Sequence, residues 1–325
     1  MSATHLSHEV RVVLLAVFAA LLIASVVSIA LAWTKPDRDW RELRARIRTW
    51  WVIAGLVAGS LLLSPSAAVW FFALVSFLAL KEFFSLIPSR RTDRRVMFWA
   101  YAAIPVQYAW VAQHWYGMFI VFIPVYLFLF LPTRLIMTGD TKGFLRAVAT
   151  VQWGVMGTLF FLSHAAYLLV VEIAANPRVE PIWSSADAER HPGPGLLLLL
   201  LVLTQCNDVG QYFWGKSLGR KKLIPSVSPG KTWVGFIGGL GTTIVLALIL
   251  GPWLTMLDFP RSMIAGLIVG VTGLLGDLNI SAIKRDLGVK DAGATLPGHG
   301  GVLDRIDSLI FTAPVFFHFV WYCYG

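Results

Sequence analysis

Charge is scarce in this 325-residue chain, and cysteine is scarcer. Asp, Glu, Lys and Arg make up 14% of it and hydrophobic residues 57%, whereas a soluble domain is about 25% charged and about 45–50% apolar. So few charges exclude an ordinary soluble enzyme and place the chain in a membrane. The two cysteines, Cys206 and Cys323, exclude a disulfide framework and a cysteine-based zinc site. Each lies in an apolar run and reads as a packing residue. Also missing are a repeat of fixed period, a low-complexity tract and a linker that would set off a soluble domain.

What is present is a series of apolar runs of about 17–25 residues, the length that crosses ~30 Å of hydrocarbon at ~1.5 Å per residue. Ten are recognised, approximately Arg11 to Trp33, Trp50 to Leu63, Ala67 to Ile87, Val96 to Ala112, Met118 to Leu131, Ala147 to Val171, Leu196 to Phe213, Thr232 to Leu257, Ser262 to Ile280 and Asp304 to Tyr324. The second and fifth are short. The sequence therefore predicts an all-α fold, a polytopic integral membrane bundle of about ten transmembrane helices, with nine as the alternative. The first run ends in the small residues Ala30, Leu31 and Ala32. It is nonetheless expected to be an uncleaved anchor, because only Arg11 stands against Glu9 before it and a basic loop follows. Residues 1–195 are expected to form N-terminal transmembrane helices, and 196–325 a catalytic region with cytoplasmic motif loops.

Acidic residues are the rarer sign, 18 against 27 basic, for a net charge of +9. The excess is not gathered for nucleic acid. Alternate loops at 34–49, 88–95, 132–146, 214–231 and 281–303 hold 21 basic residues; the other loops hold Arg11, Arg178, Arg190 and Arg261. The positive-inside rule puts the first set in the cytoplasm. Both termini and the acidic loop from about Glu172 to Gly195 then face outward, as in a bacterial inner-membrane protein. Arg41, Arg44, Arg46 and Arg48, before Trp50 and Trp51, read as an orientation signal beside anionic lipid headgroups.

Polar residues that need a reason lie between Gln205 and Asp307. Gln205, Asn207 and Asp208 fall inside the seventh run, where an unpaired carboxylate is strongly penalised by desolvation, so Asp208 is expected to meet a cation. The cytoplasmic loop that follows holds Lys216, Arg220, Lys221, Lys222 and Lys231, with Ser226 and Ser228 around two prolines. Its SPGKT stretch delivers Lys231 and Thr232 to a helix start, whose free amides favour anions. Gly235, Gly238, Gly239 and Gly241 read as a helix-packing surface.

On a helix, Asp277, Ser281, Lys284 and Arg285 share one face, joining a carboxylate to two cations. After Pro297, the run Gly298, His299, Gly300 and Gly301 forms a turn with exposed amides. Asp304 opens the last helix, with Asp307 beside it. Carboxylates at membrane ends (Asp208, Asp277 and Asp304), with no cysteine and a single histidine nearby, imply Mg²⁺ rather than zinc.

The run SAIKRDLGVKDAGATLPGHGGVLDRID, from Ser281 to Asp307, resembles the C-terminal motif of the phosphatidate cytidylyltransferases, also called CDP-diacylglycerol synthases, across its whole length. NDVGQYFWGK, from Asn207, and SVSPGKTW, from Ser226, resemble that family's upstream segments in order and spacing. The resemblance spans about Gln205 to Ser308. It implies metal ligation by Asp277 and Asp304, phosphate binding by Lys284, Arg285 and Lys290, and completion of the site by Asp291, His299 and Asp307. It also implies that Ser226, Ser228, Lys231 and Thr232 sit at the nucleotide and that K⁺ accompanies Mg²⁺; Asn207, Asp208, Lys216 and Ser281 are expected to join them in cofactor binding, with Asp208 a further candidate metal ligand. Val234 departs from the family, which commonly has a polar residue, frequently Glu, after KTW. RIRTWW and FLALKEF resemble a branch of bacterial paralogues.

The expected reaction is attack of the phosphatidate phosphate on the α-phosphorus of CTP, giving CDP-diacylglycerol and pyrophosphate. CTP arrives from the cytoplasm while the lipid tails stay in the bilayer; no nucleic acid takes part, and a homodimer is left open. Two alternatives stand beside it. A CTP-dependent transferase acting on another lipid phosphate or a polyprenol differs in its headgroup products. A transporter or non-catalytic paralogue explains Asp208 and Asp277 within the membrane, but not SPGKT, the glycine-rich turn and KRDLGVKD together on one side.

Overall fold

The computed structural model describes residues 6–37, 39–87, 93–139, 141–171, 192–298 and 300–325. In a bilayer, backbone groups must be satisfied within the segment, so the apolar runs become helices. In chain order these are α1 (His8–Thr34), α2 (Arg41–Leu63), α3 (Pro65–Leu86), α4 (Asp93–Ala112), α5 (Tyr116–Ile136), α6 (Phe144–Tyr167), α7 (Gly193–Leu218), α8 (Trp233–Leu254), α9 (Phe259–Asp286) and α10 (Leu303–Tyr324).

They correspond one for one to the ten runs. Among the described residues nine are long and apolar enough to cross a membrane, and α4 is the helix that falls short. The two runs that looked short are full-length helices. α2 has 23 residues because it begins at Arg41 and carries its basic stretch as helix, and α5 has 21 because it continues through Pro132 to Ile136. Charge lowered the local hydropathy of α2 without ending the helix. The acidic loop expected to face outward lies, for residues 172–191, outside the described residues.

Ser64 alone separates α2 from α3. Its hydroxyl accepts from Ala67 N at 3.0 Å, and Pro65 takes the first helical position, where its missing N–H costs nothing. Between α7 and α8 the chain forms a small antiparallel hairpin, β1 (Lys222–Ile224) and β2 (Ser228–Thr232). SPGKT is therefore a strand leading into a helix. The Thr232 hydroxyl ends it as the cap of α8, accepting from Gly235 N at 3.0 Å.

The most extensive helix packing is of α7 on α8, followed by α8 on α9 and α9 on α10. Small residues permit that approach. A Cβ on Gly235 would lie 2.6 Å from the Gln211 carbonyl oxygen, and one on Gly239 would lie 2.9 Å from the Gln211 nitrogen; Gly238 sits against Trp214. Gly241 has open space around it, so the packing surface is three glycines and not four. Asn207 joins three helices, donating to Gly270 O at 3.4 Å and accepting from the Thr243 hydroxyl at 3.2 Å. Cys206 and Cys323 are free and half-buried. Phe119, Phe316 and Phe317 are fully buried where α5, α6 and α10 meet.

Candidate active site

Two ion pairs organise the polar end of the bundle. Lys231, near the end of β2, places its Nζ 2.6 Å from Asp277 Oδ2 on α9 and donates to Gln211 Oε1 on α7 at 2.9 Å. Burial pulls the pKa of Lys231 down, but the Asp277 and Asp208 carboxylates outweigh it and hold the ammonium above the usual lysine value. About two turns further along α9, Lys284 lies 2.7 Å from Asp304 Oδ1 of α10, with both residues buried.

The expected face of α9 is present, and its members divide their work. Ser281 Oγ donates to Asp277 Oδ1 at 3.2 Å. Arg285 donates to Val227 O in the hairpin turn at 3.3 Å and to Val289 O at 3.2 Å, tying the hairpin to the 287–302 loop. Asp304 Oδ2 accepts from the amides of Ala292 (2.8 Å) and Gly301 (2.9 Å). With Lys284, that gives Asp304 three donors and makes it the anchor of the loop.

Asp208 accepts from Ser308 Oγ at 3.1 Å and Asp307 from Ser308 N at 2.7 Å. Asp208, Asp277 and Asp307 lie near enough to repel one another, while Lys231 and Arg305 attract Asp208. No cation among the described residues makes a direct ion pair with Asp208; Lys231 is paired with Asp277 instead. Among the described residues no three carboxylates, imidazoles or thiols enclose a metal position; Lys231 lies against Asp277 in this arrangement.

The remaining expected residues spread over the same region. Ser226 is exposed in the hairpin turn and Ser228 half-buried; Lys290 and Asp291 are exposed on the loop. Lys216 is exposed and donates to the Tyr212 hydroxyl at 3.1 Å. Thr232 and Asn207 serve as the cap and the interhelix tie described above. Val234 is exposed in the first turn of α8. His299 lies outside the described residues.

Four further residues complete the region. Gln211 Nε2 and Arg305 Nε are buried donors without a partner, suited by chemistry to phosphate oxygens. Gln211 stood in the NDVGQYFWGK segment and Arg305 between the two aspartates of DRID, so the sequence had both in view. From the N-terminal half, Thr49 donates to Pro297 O at 2.8 Å. Glu82 Oε2 accepts from Leu303 N, at the start of α10, at 2.8 Å, and the same carboxyl packs against Gly293 and Gly301. A carboxylate within the apolar FLALKEF run was a legible signal for Glu82; Thr49 gave none.

Residues 44–323 match the cytidylyltransferase family. The chain belongs to that family. It is a nucleotidyltransferase built as a helical membrane bundle. This cytidylyltransferase is 46% identical over 308 residues to the uncharacterized protein YnbB of Escherichia coli (strain K12), covering 94% of this chain and 96% of that one. It is 46% identical over 143 residues to the phosphatidate cytidylyltransferase of Haemophilus influenzae, which covers 41% of this chain and 48% of that enzyme. Against the phosphatidate cytidylyltransferase of Synechocystis sp. it is 36% identical over 188 residues, 53% of this chain and 63% of that one. The chain thus spans about half of the first of those enzymes and less than two thirds of the second. The family match begins within α2, so Thr49 and Glu82 fall inside the cytidylyltransferase unit.

Proposed function

We propose that this cytidylyltransferase transfers CMP from CTP to phosphatidate at the cytoplasmic face of a bacterial inner membrane. The observation that carries the reading is the Lys231–Asp277 contact, which joins the SPGKT strand to the polar face of α9. Beside it lie a second ion pair and the two unpartnered buried donors. The cytoplasmic orientation rests on the basic loops, which include both the hairpin and the 287–302 segment.

A phosphate monoester oxygen of the lipid attacks the α-phosphorus of CTP. The new P–O bond forms as the bond to the α,β-bridging oxygen breaks, and the electron pair leaves with pyrophosphate. The acceptor is already a nucleophile at neutral pH, so no side-chain nucleophile takes part. The protein holds two polyanions in line and offsets their repulsion. Lys231, Arg305 and Gln211 are assigned to phosphate oxygens, with Lys290 at the exposed rim. The Lys284–Asp304 pair and Arg285 are assigned to holding the loop and the hairpin in place.

The hard-oxygen donors Asp208 and Asp277, with the Ser308 and Ser281 hydroxyls beside them, fit Mg²⁺ by donor chemistry, with Lys231 now standing against Asp277 and with Asp304, the other expected ligand, engaged by Lys284 and the Ala292 and Gly301 amides. Those carboxylates would hold it, and it would neutralise charge on the phosphates.

The test is purified full-length protein in detergent with radiolabelled CTP, phosphatidate and Mg²⁺, following label into the lipid phase. Labelling should depend on Mg²⁺ and fall by about 10²-fold or more in Asp277→Asn, as when one transition-state stabiliser is removed. Label entering a polyprenyl phosphate but not phosphatidate would reassign the acceptor. No label in any lipid phosphate would overturn the reading.

A further inference from the structure

A cavity of about 860 Å³ opens on the side of α9 turned away from the site. Successive residues of a helix are rotated by roughly 100°. Ala282, Ile283 and Asp286, which line the cavity, therefore lie opposite the face that carries Asp277, Ser281 and Lys284. Phe83 of α3, Met97 of α4 and Trp153 of α6 form the apolar walls, with the Phe83 and Trp153 rings stacked at 5.6 Å. Lys142 and Arg146 line the cavity at the start of α6, in one of the basic loops, with Asp286 as their acidic counterweight. The volume is in the ordinary range for a ligand cavity.

We propose that this cavity is a binding site for an anionic phospholipid, separate from the transfer site. Apolar walls with basic residues at one end, where the helices leave the membrane, match the build of such a lipid. Acyl chains lie along Phe83, Met97, Trp153 and Ile283, and the headgroup phosphate meets Arg146 and Lys142. The acceptor of the transfer reaction belongs on the other side of α9, by the Asp277 face. The cavity and the site nevertheless share two helix ends. Phe83 lines the cavity while its neighbour Glu82 holds Leu303; Ile283 lines it while its neighbour Lys284 holds Asp304. A lipid seated there steadies both helix ends that carry the loop.

The test is binding, so its outcome does not depend on which acceptor the enzyme uses. Full-length protein in detergent is photolabelled with a phosphatidylglycerol carrying a diazirine in one acyl chain, and the adducts are mapped by mass spectrometry. Adducts should fall on the peptides containing Phe83, Trp153 and Ile283. Unlabelled phosphatidylglycerol should compete, and phosphatidylcholine should compete several-fold less well. Arg146→Gln should weaken competition by roughly fivefold, the effect of one basic residue at a membrane surface, and Thr150→Trp should reduce labelling by obstructing the cavity without changing charge. Equal competition by phosphatidylcholine overturns the proposal. So do adducts that avoid these peptides, or labelling and competition unchanged from wild type in both variants.

Discussion

Glu82 is, with Thr49, a side chain by which the N-terminal half of the molecule reaches the site, and its removal has a calculable effect. Its Oε2 accepts from Leu303 N at 2.8 Å, and Leu303 is buried, so the amide has no water to turn to. Glu82→Ala leaves one of the first-turn donors of α10 unsatisfied, which costs about 1–3 kcal/mol. It also opens space against Gly293 and Gly301. Part of this is returned, because Glu82 Oε1 is itself buried without a partner and its desolvation is relieved. A net loss of about 2 kcal/mol falls on the loop and the start of α10, not on the bundle as a whole.

If the loop must hold its place for transfer, about 2 kcal/mol lowers the competent population by up to roughly thirtyfold. Glu82→Gln keeps an oxygen for Leu303 N and sets its amide nitrogen where Oε1 already lacked a partner, so it should stay within about threefold of wild type. The assay is steady-state label transfer from CTP to lipid, with kcat and KM separated and folding checked by thermal unfolding in detergent. Glu82→Ala should lose kcat while its unfolding midpoint moves little. An Ala variant with wild-type kcat, or a Gln variant as weak as the Ala variant, would show that Glu82 does not place the loop through this hydrogen bond.

Lys231 gives a prediction with a defined sign. Its folded-state pKa is held above 10.5 by Asp277 and Asp208 against the opposing pull of burial, so its stabilisation is fully present below that pH and is lost as pH rises through the higher folded value. The gap in thermal midpoint between wild type and Lys231→Met should be constant near neutrality and narrow in strong alkali; a gap that widens there would refute the pairing. Two glycines of α8 should separate cleanly. Gly235→Ala puts a methyl 2.6 Å from the Gln211 carbonyl and should prevent α7 and α8 from closing, seen as aggregation in detergent. Gly241→Ala, with nothing within 4 Å, should be neutral or raise stability by up to about 1 kcal/mol through helix propensity. The opposite ranking would mean that the α7–α8 interface is wrongly placed.

The ten helices were legible because hydropathy is a local property of the chain. Its errors are local as well: α2 looked short because its first two turns carry Arg41, Arg44, Arg46 and Arg48, which can lie at a membrane edge without ending a helix. The polar face of α9 was legible for the same reason, since Asp277, Ser281, Lys284 and Arg285 sit at helical spacing. What spacing cannot give is the choice of partner. Asp277 was read as a metal ligand and Lys231 as a nucleotide contact, and nothing short of the fold pairs them with each other.

The same limit explains Thr49 and Glu82. Their hydrogen bonds to Pro297 and Leu303 span 248 and 221 residues, a separation at which no local pattern survives. Only the approach of α2 to the 287–302 loop and the packing of α3 on α10 bring them there. The two halves also differ in kind. The ionic residues between Asn207 and Asp307 stand near one another in a few short segments, so a motif records them. The loop they depend on, rich in glycine from Gly288 to Gly301, cannot hold one shape by its own side chains. It is fixed by outside acceptors and donors: Asp304 at Ala292 and Gly301, Arg285 at Val289, Thr49 at Pro297. A glycine-rich loop that must sit against polyphosphates gains close approach by lacking side chains, and for that reason its placement has to be written elsewhere in the chain.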